Sequence, residues 1–232
     1  MTIAPILFLC DVDNTLLDND RFEDDLRAWL PYVVGTDGAV AFWCAFAARR
    51  ERLGYSDYLG AAQDAFDAAA RDPRWLAVGQ YLLDYLFADR LYPGALKVLA
   101  RLGTLGPVWL ISDGDGVMQP RKVRRAGLWA AVAGRVQIHI HKETMLSSIA
   151  RECPAAHHVL IDDKPRILGA VKAAWGDRVT TVMPRHGHYA QQTAAQITDA
   201  PPDLVLDHIG DLAQDAGLSR LVAATRREKE LP

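Results

Sequence analysis

A chain of 232 residues with 50% apolar and 24% charged side chains can bury a sizeable core, as one large domain or a domain with an insertion. Lys and Arg total 26 against 29 for Asp and Glu, so no basic field points to nucleic acid, and any polyanion chemistry must come from local groups. Three scattered cysteines (Cys10, Cys44, Cys153) make neither a disulfide framework nor a zinc cluster, and with no basic leader and no apolar run approaching a membrane span the expectation is a soluble, cytoplasmic protein with no membrane contact.

Residues 6–10 form a continuous apolar run, the pattern of a strand buried on both faces, with Cys10 as a small core hydrophobe. The run breaks into Asp11-Val12-Asp13-Asn14-Thr15, two carboxylates two residues apart and then a hydroxyl. The carboxyl end of a buried strand is where open α/β sheets keep their binding crevices.

From Asp18 the pattern turns helical for roughly 70 residues. Asn19 and Asp20 can cap a helix with Leu26, Trp29, Leu30 and Val33 on its apolar face, ended by Gly35. Val40, Trp43, Cys44 and Ala47 form the next stripe, which stops before Gly54. Ser56 and Asp57 open a third helix reaching Ala70, and Asp72-Pro73 a fourth that carries Trp75, Val78, Leu82, Tyr85 and Leu86. Aromatics at this spacing read as packing.

After a break at Tyr92-Pro93-Gly94, a helix over 95–102 leads to a second strand over 108–111 that ends in Ser112-Asp113. A helix follows over 117–127. A third strand over 136–140 ends at His141-Lys142, with helix over 144–151 beyond it. The fourth strand, 159–161, ends in Asp162-Asp163. A helix over 166–175, a fifth strand over 179–182 and a sixth over 204–206 complete the series. Segment 184–202 reads as loop-rich and the charged tail 226–232 as frayed.

Strands alternating with helices predict an α/β fold with a parallel sheet and right-handed crossovers. The helical block between the first two strands is too long for a crossover and reads as an inserted cap. In a parallel sheet all the polar strand ends share one rim, so Asp11, Asp13, Thr15, Ser112, Lys142, Asp162 and Asp163 converge. Carboxylates crowded in one crevice repel each other unless a cation is present, and an all-oxygen set suits Mg²⁺. Hydroxyls and one Lys are the donors a phosphoryl group needs, and a carboxylate can attack phosphorus directly.

These motifs resemble the haloacid dehalogenase-like hydrolase superfamily. Asp11-Val12-Asp13-Asn14-Thr15 is similar to its first motif, Leu110-Ile111-Ser112-Asp113 to its second, Lys142 to its third and Ile161-Asp162-Asp163 to one form of its fourth. Two departures stand out: Lys142 sits in His-Lys-Glu where many relatives have Lys-Pro, and the fourth motif is a bare Asp-Asp pair. The resemblance covers roughly 1–17 and 93–210. It implies a Rossmann-like parallel sheet core (1–17 and 93–232) with an inserted all-helical cap of type 1 (18–92).

It also implies roles. Asp11 becomes the nucleophile and a metal ligand; Asp13 becomes the acid for the leaving group and then the base for water, its backbone carbonyl touching the metal. Thr15 and Ser112, with Asp113 beside them, hold the substrate phosphate. Lys142 neutralises the nucleophile and the transferring group, and Asp162 or Asp163, directly or through water, completes a Mg²⁺ site. The implied function is a Mg²⁺-dependent phosphatase acting on a small phosphorylated metabolite through an aspartyl-phosphate. A phosphomutase stays open. A dehalogenase also uses an Asp nucleophile, but the dehalogenases of this family lack the second carboxylate. A phospho-acceptor domain or an inactive scaffold is the alternative of a different class, and no oligomeric state follows.

Three further expectations concern single residues. The histidines at 139, 141, 157, 158, 186 and 188 lack the spacing of a zinc site. Arg185, His186 and His188 read as a surface loop. Lys122, ten residues after Ser112, reads as a helix-surface residue about 7–8 Å down from the rim, whose loss costs no more than about 0.5 kcal/mol and leaves activity intact.

Overall fold

Residues 3–69, 71–192 and 201–227 are described by a computed structural model, in which six strands form one parallel sheet. They are β1 (Leu7–Cys10), β2 (Val108–Asp113), β3 (Val136–His139), β4 (His158–Ile161), β5 (Val179–Pro184) and β6 (Leu204–Leu206), in the order β3-β2-β1-β4-β5-β6. The chain builds outward from β1 to β3 on one side, then returns to β4 and builds outward on the other. Strand order therefore reverses between β1 and β4, where connections diverge and leave a crevice beyond the carboxyl ends. Register places Cys10 opposite Ile161, so Asp11 and Asp162 leave the two neighbouring strands at the same level.

The unbroken apolar run of β1 has a direct cause. Phe8 and Cys10 enter one core with Val98 and Leu102 of α4 (Ala95–Gly103) and Leu221 of α10 (Asp215–Arg227). Leu7 and Leu9 enter the other, with Ile149 of α7 (Leu146–Glu152) and Ile167, Leu168 and Val171 of α8 (Pro165–Trp175). A strand covered on both faces must be apolar at every position.

Between β1 and β2 come α1 (Asn19–Leu53), α2 (Tyr58–Ala68) and α3 (Trp75–Asp84). The cap of α1 is Asp18, whose carboxylate accepts from the Arg21 amide at 2.9 Å, rather than Asn19 or Asp20, which lie inside the first turn. The chain leaves helical conformation at Gly35 (φ 79°, ψ 169°) as expected, then continues as helix to Gly54. Of the expected stripe, Val40, Cys44 and Ala47 are exposed along a shallow groove and only Trp43 is half-buried against the core; the packed stripe is Ala39, Phe42 and Phe46. The segment is apolar on two faces, and contact with Tyr58 and Trp75 of the neighbouring helices decides which is buried. Trp43 is also covered by the Arg27 guanidinium, 3.7 Å above its ring.

By length and composition α1 is apolar enough to cross a membrane, with a window of mean hydropathy 1.3, against the expectation that no run approaches a span. Here its Phe22, Leu26, Leu30, Phe42 and Phe46 are packed into the core. In α3, Trp75, Val78 and Leu82 are buried as expected, whereas Leu86 is exposed beyond the helix end.

The two connectors between this helical block and the sheet run side by side: Leu17 bridges Leu91 in antiparallel fashion, and the Tyr92 amide donates to the Leu16 carbonyl at 2.9 Å. After β2 the helix expected over 117–127 is α5 (Met118–Arg125), and beyond Gly127 a second short helix follows, α6 (Leu128–Ala131). Within the stretch expected as loop lies α9 (Gly187–Gln192); residues 193–200 fall outside the described residues, as does the tail from 228 onward.

One consequence for stability lies in the second core. His158 is buried against the Trp175 ring (4.7 Å) with Nε2 2.8 Å from the Cys153 carbonyl, and burial holds its pKa below the ordinary 6.5. The unfolded chain then binds a proton near pH 6.5 that the folded chain takes up only at lower pH. The stabilisation is therefore full above pH 6.5 and is lost as pH falls through the folded pKa. Melting temperatures of the wild type and His158→Gln, measured across this range, are expected to converge as pH falls; a constant gap would show that His158 does not titrate this way.

Candidate active site

The crevice beyond β1 and β4 gathers the strand-end groups. Asp11, Asp162 and Asp163 are buried, and each offers a carboxylate oxygen within 4.8 Å of the others. The Lys142 ammonium, also buried, bonds Asp11 Oδ1 and lies 2.7 Å from Asp162 Oδ2. Thr15 Oγ1 lies 3.4 Å from Asp11 Oδ2 and accepts from the Asp163 amide at 3.0 Å, tying the β1 loop to the β4 loop.

Burial pushes the pKa of Asp162 upward against the pull of Lys142, and that of Asp163 well upward against the pull of Lys164. Burial also works against the Lys142 charge, but the adjacent Asp11 and Asp162 outweigh it and raise its pKa. Both Asp163 carboxylate oxygens are buried without a hydrogen-bond partner among the described residues. An ionised carboxylate cannot remain so in a dry interior, and an all-oxygen donor set suits a hard divalent cation. The residues present thus fit a metal ion held by Asp11, Asp162 and Asp163.

Asp13 stands apart from that trio. Lys122 Nζ donates to both its carboxylate oxygens at 2.9 Å, and Gln119 Nε2 to one of them at 3.1 Å. Gln119 Nε2 also donates to the buried Ser112 hydroxyl at 2.9 Å. Beyond Asp13, Lys122 donates to Asn19 Oδ1 (2.9 Å), Asn19 Nδ2 to the Tyr58 hydroxyl (3.3 Å), and Tyr58 to Glu23 (2.6 Å). A polar chain therefore runs from β2 through Asp13 into the helical block.

Lys122 is not a helix-surface residue, as its position in the sequence suggested: it is 1% exposed, with Phe22 and Phe87 rings 5.8 and 5.7 Å from its ammonium. The reason is geometric. Helix α5 starts at Met118, so Lys122 is one turn in, roughly 6 Å along the axis, and helical side chains lean back toward the N-terminus. A four-carbon stem covers that distance to the rim. Gln119, one turn earlier on the same face, reaches it too; neither was legible as a site residue from the motif pattern.

Asp113, expected beside the substrate phosphate, lines the crevice, but its Oδ1 accepts from the Lys142 amide at 2.8 Å and so holds the turn that aims Lys142. The stretch read as a surface loop is only partly one. Arg185 is exposed, but His186 is buried between the Thr15 carbonyl (3.3 Å) and the Ile209 amide (3.3 Å) and packs on the Tyr92 ring at 3.8 Å. His188 lines the crevice with Nδ1 2.7 Å from Asp20. Gly187 (φ 61°) lies so near Asn14 that a Cβ there would stand 2.6 Å from its side chain, which fixes how closely α9 docks on the first motif. His157 meets Thr180 at 2.8 Å, and His139 meets Gln137 at 3.1 Å.

Above these groups opens a cavity of about 460 Å³ between the helical block and the sheet. Asn19, Glu23, Arg50, Tyr55 and Tyr58 line it from one side, and Asp13, Asp113, Lys164, Arg166 and Tyr189 from the other. A parallel sheet with a trio of aspartates, a buried Lys and a fourth Asp at its switch point is a hydrolase site in class.

Known structures specify that class. A haloacid dehalogenase-like hydrolase from Burkholderia xenovorans superposes with TM-score 0.86 at 49% identity, covering 91% of this chain and 98% of that one. The chain belongs to the haloacid dehalogenase-like hydrolase family. A magnesium-bound hydrolase of the family from Bacillus subtilis matches in fold (TM-score 0.59, 15% identity, 91% and 97% covered). So does one from Deinococcus radiodurans with bound phosphate and sodium (0.58, 17%, 95% and 97%). Dehalogenases share the fold as well. No family model and no curated protein matches the chain.

Proposed function

We propose that the protein is a soluble, divalent-cation-dependent phosphatase, with Mg²⁺ as the natural ion, acting on a small phosphate monoester under a type 1 cap formed by 18–92. The observation that carries this reading is Asp163, a buried carboxylate that accepts no hydrogen bond among the described residues and lies beside Asp11 and Asp162. Bound there, the cation neutralises the trio and polarises the phosphoryl group.

In this reading Asp11 attacks phosphorus, the bond from phosphorus to the leaving oxygen breaks, and Asp13 gives that oxygen its proton. Water then attacks the aspartyl-phosphate, Asp13 takes the water's proton, and phosphate leaves with Asp11 restored. Thr15, Ser112 and Lys142 bond the transferring oxygens as charge spreads over them. Asp113 serves by holding Lys142 in place. Asp13 favours phosphate over halide chemistry: a departing halide needs no proton, whereas an alkoxide does.

The test is hydrolysis of para-nitrophenyl phosphate and of a panel of phosphorylated metabolites with Mg²⁺ and after chelation. Turnover is expected to disappear with the ion and return on its readdition. Full activity in excess chelator, or activity on 2-haloacids alone, would sink the proposal.

A further inference from the structure

In the cavity wall above the reacting groups, two cations, Arg50 and Lys164, lie against Tyr189. Arg50, in the last turn of α1, donates from Nη2 to the Tyr189 hydroxyl at 2.7 Å. Its neighbour Arg49 instead takes Asp57 at 2.6 Å and Asp64 at 2.5 and 2.7 Å, which uses the acidic side chains at that end of the helical block. On the opposite side, Lys164 follows the Asp162-Asp163 pair, with its ammonium 5.6 Å from the Tyr189 ring centre. Among the described residues neither Arg50 nor Lys164 has a side-chain hydrogen bond to a carboxylate, although the charge of Lys164 is supported by the nearby Asp11 and Asp163.

The acids of the same wall are engaged elsewhere: Asp13 with Lys122, Glu23 with Tyr58, and Asp113 with the Lys142 amide. Of the other cations there, Lys122 holds Asp13 and Arg166 is paired with Glu143 at 2.5 Å. The position of Arg50 is fixed by the end of its helix. Gly54 closes α1 with φ 77°, a conformation that favours glycine, and packs its Cα face against the His141 ring next to the Lys142 turn.

We propose that Arg50 and Lys164 bind a second anionic group, a carboxylate or a further phosphate, carried by the alcohol part of the substrate. The inference rests on the phosphatase reading of the site and adds the substrate class to it. A guanidinium offers forked donors that match either anion, and the Tyr189 hydroxyl, already in contact with it, fixes its orientation. One cation comes from the helical block and the other from the sheet, so a doubly anionic substrate bridges the two, whereas a neutral alcohol leaves Arg50 without an anionic partner as water is excluded.

The experiment compares phosphate monoesters of hydroxy acids of increasing chain length with their methyl esters and with the corresponding bisphosphates, alongside para-nitrophenyl phosphate. At one chain length the acid or the bisphosphate is expected to exceed the methyl ester by roughly 10- to 100-fold in kcat/KM, mainly through KM. Which of the two wins identifies the anion. Arg50→Gln is expected to draw that ratio toward one, and Arg50→Lys to restore part of it. If charged and neutral substrates are hydrolysed equally while para-nitrophenyl phosphate is turned over, the second-anion site is wrong and the phosphatase reading stands. If nothing is turned over, the phosphatase reading itself fails. A ratio unchanged in Arg50→Gln removes Arg50 from the site. The wild-type ratio decides the substrate class even if the variants do not fold.

Discussion

Asp11→Asn is expected to reduce turnover by on the order of 10⁴-fold or more while leaving a folded protein. An amide oxygen is a poor nucleophile toward phosphorus and a weaker ligand for a hard cation. The substitution is nearly isosteric, and Lys142 keeps Asp162 as a charged partner 2.7 Å away. The loss therefore falls on chemistry more than on packing, and kcat should collapse whatever the leaving group. Phosphate release measured with para-nitrophenyl phosphate and with an alkyl phosphate checks it, together with the melting temperature. A variant retaining a tenth of wild-type turnover would remove Asp11 as the attacking group.

The second large effect belongs to Asp13 and the lysine that holds it. Asp13→Ala is expected to cost roughly 10²–10⁴ in turnover of alkyl phosphates, because both proton transfers lose their carrier. With a nitrophenyl leaving group the first transfer is unnecessary, so the covalent intermediate should accumulate. Lys122→Met should lower turnover of alkyl phosphates more than roughly tenfold and stability by about 1–3 kcal/mol. Methionine fills the space beside Phe22 and Phe87 but leaves Asn19 Oδ1 without its donor and Asp13 held by Gln119 alone. If Lys122 acts through Asp13, it should add little in the Asp13→Ala background, and the double-mutant cycle measures this directly. Additive losses would mean that Lys122 supports only the fold. An active, stable Lys122→Met would reinstate the helix-surface reading taken from its sequence position.

Much of the sheet domain was legible in the chain itself, for a physical reason. A strand covered on both faces must be apolar throughout, so residues 6–10 announced β1, and the polar groups that end such strands share one rim of a parallel sheet. Asp11, Thr15, Ser112, Lys142, Asp162 and Asp163 could be assembled on that ground, far apart as they are in sequence. The helical block was legible as helix but not as surface. Residues 40–47 carry apolar side chains on two faces, and only the packing of Phe42 and Phe46 against Trp75 and Tyr58 determines which face is covered.

Tertiary structure alone decided the rest. Whether Lys122 meets Asp13 depends on where α5 starts and on the backward lean of helical side chains, neither of which the spacing from Ser112 states. Gln119 reaches Ser112 and Asp13 for the same reason, and His186 is buried because α9 folds back onto the first motif. Arg50 and Lys164, far apart in sequence, meet at Tyr189 only once the end of α1 and the loop after β4 are packed against α9. Periodicity and strand ends are local properties that one stretch of chain carries by itself. Which helix face is buried, and which long side chain reaches the rim, depends on how separate stretches pack against each other.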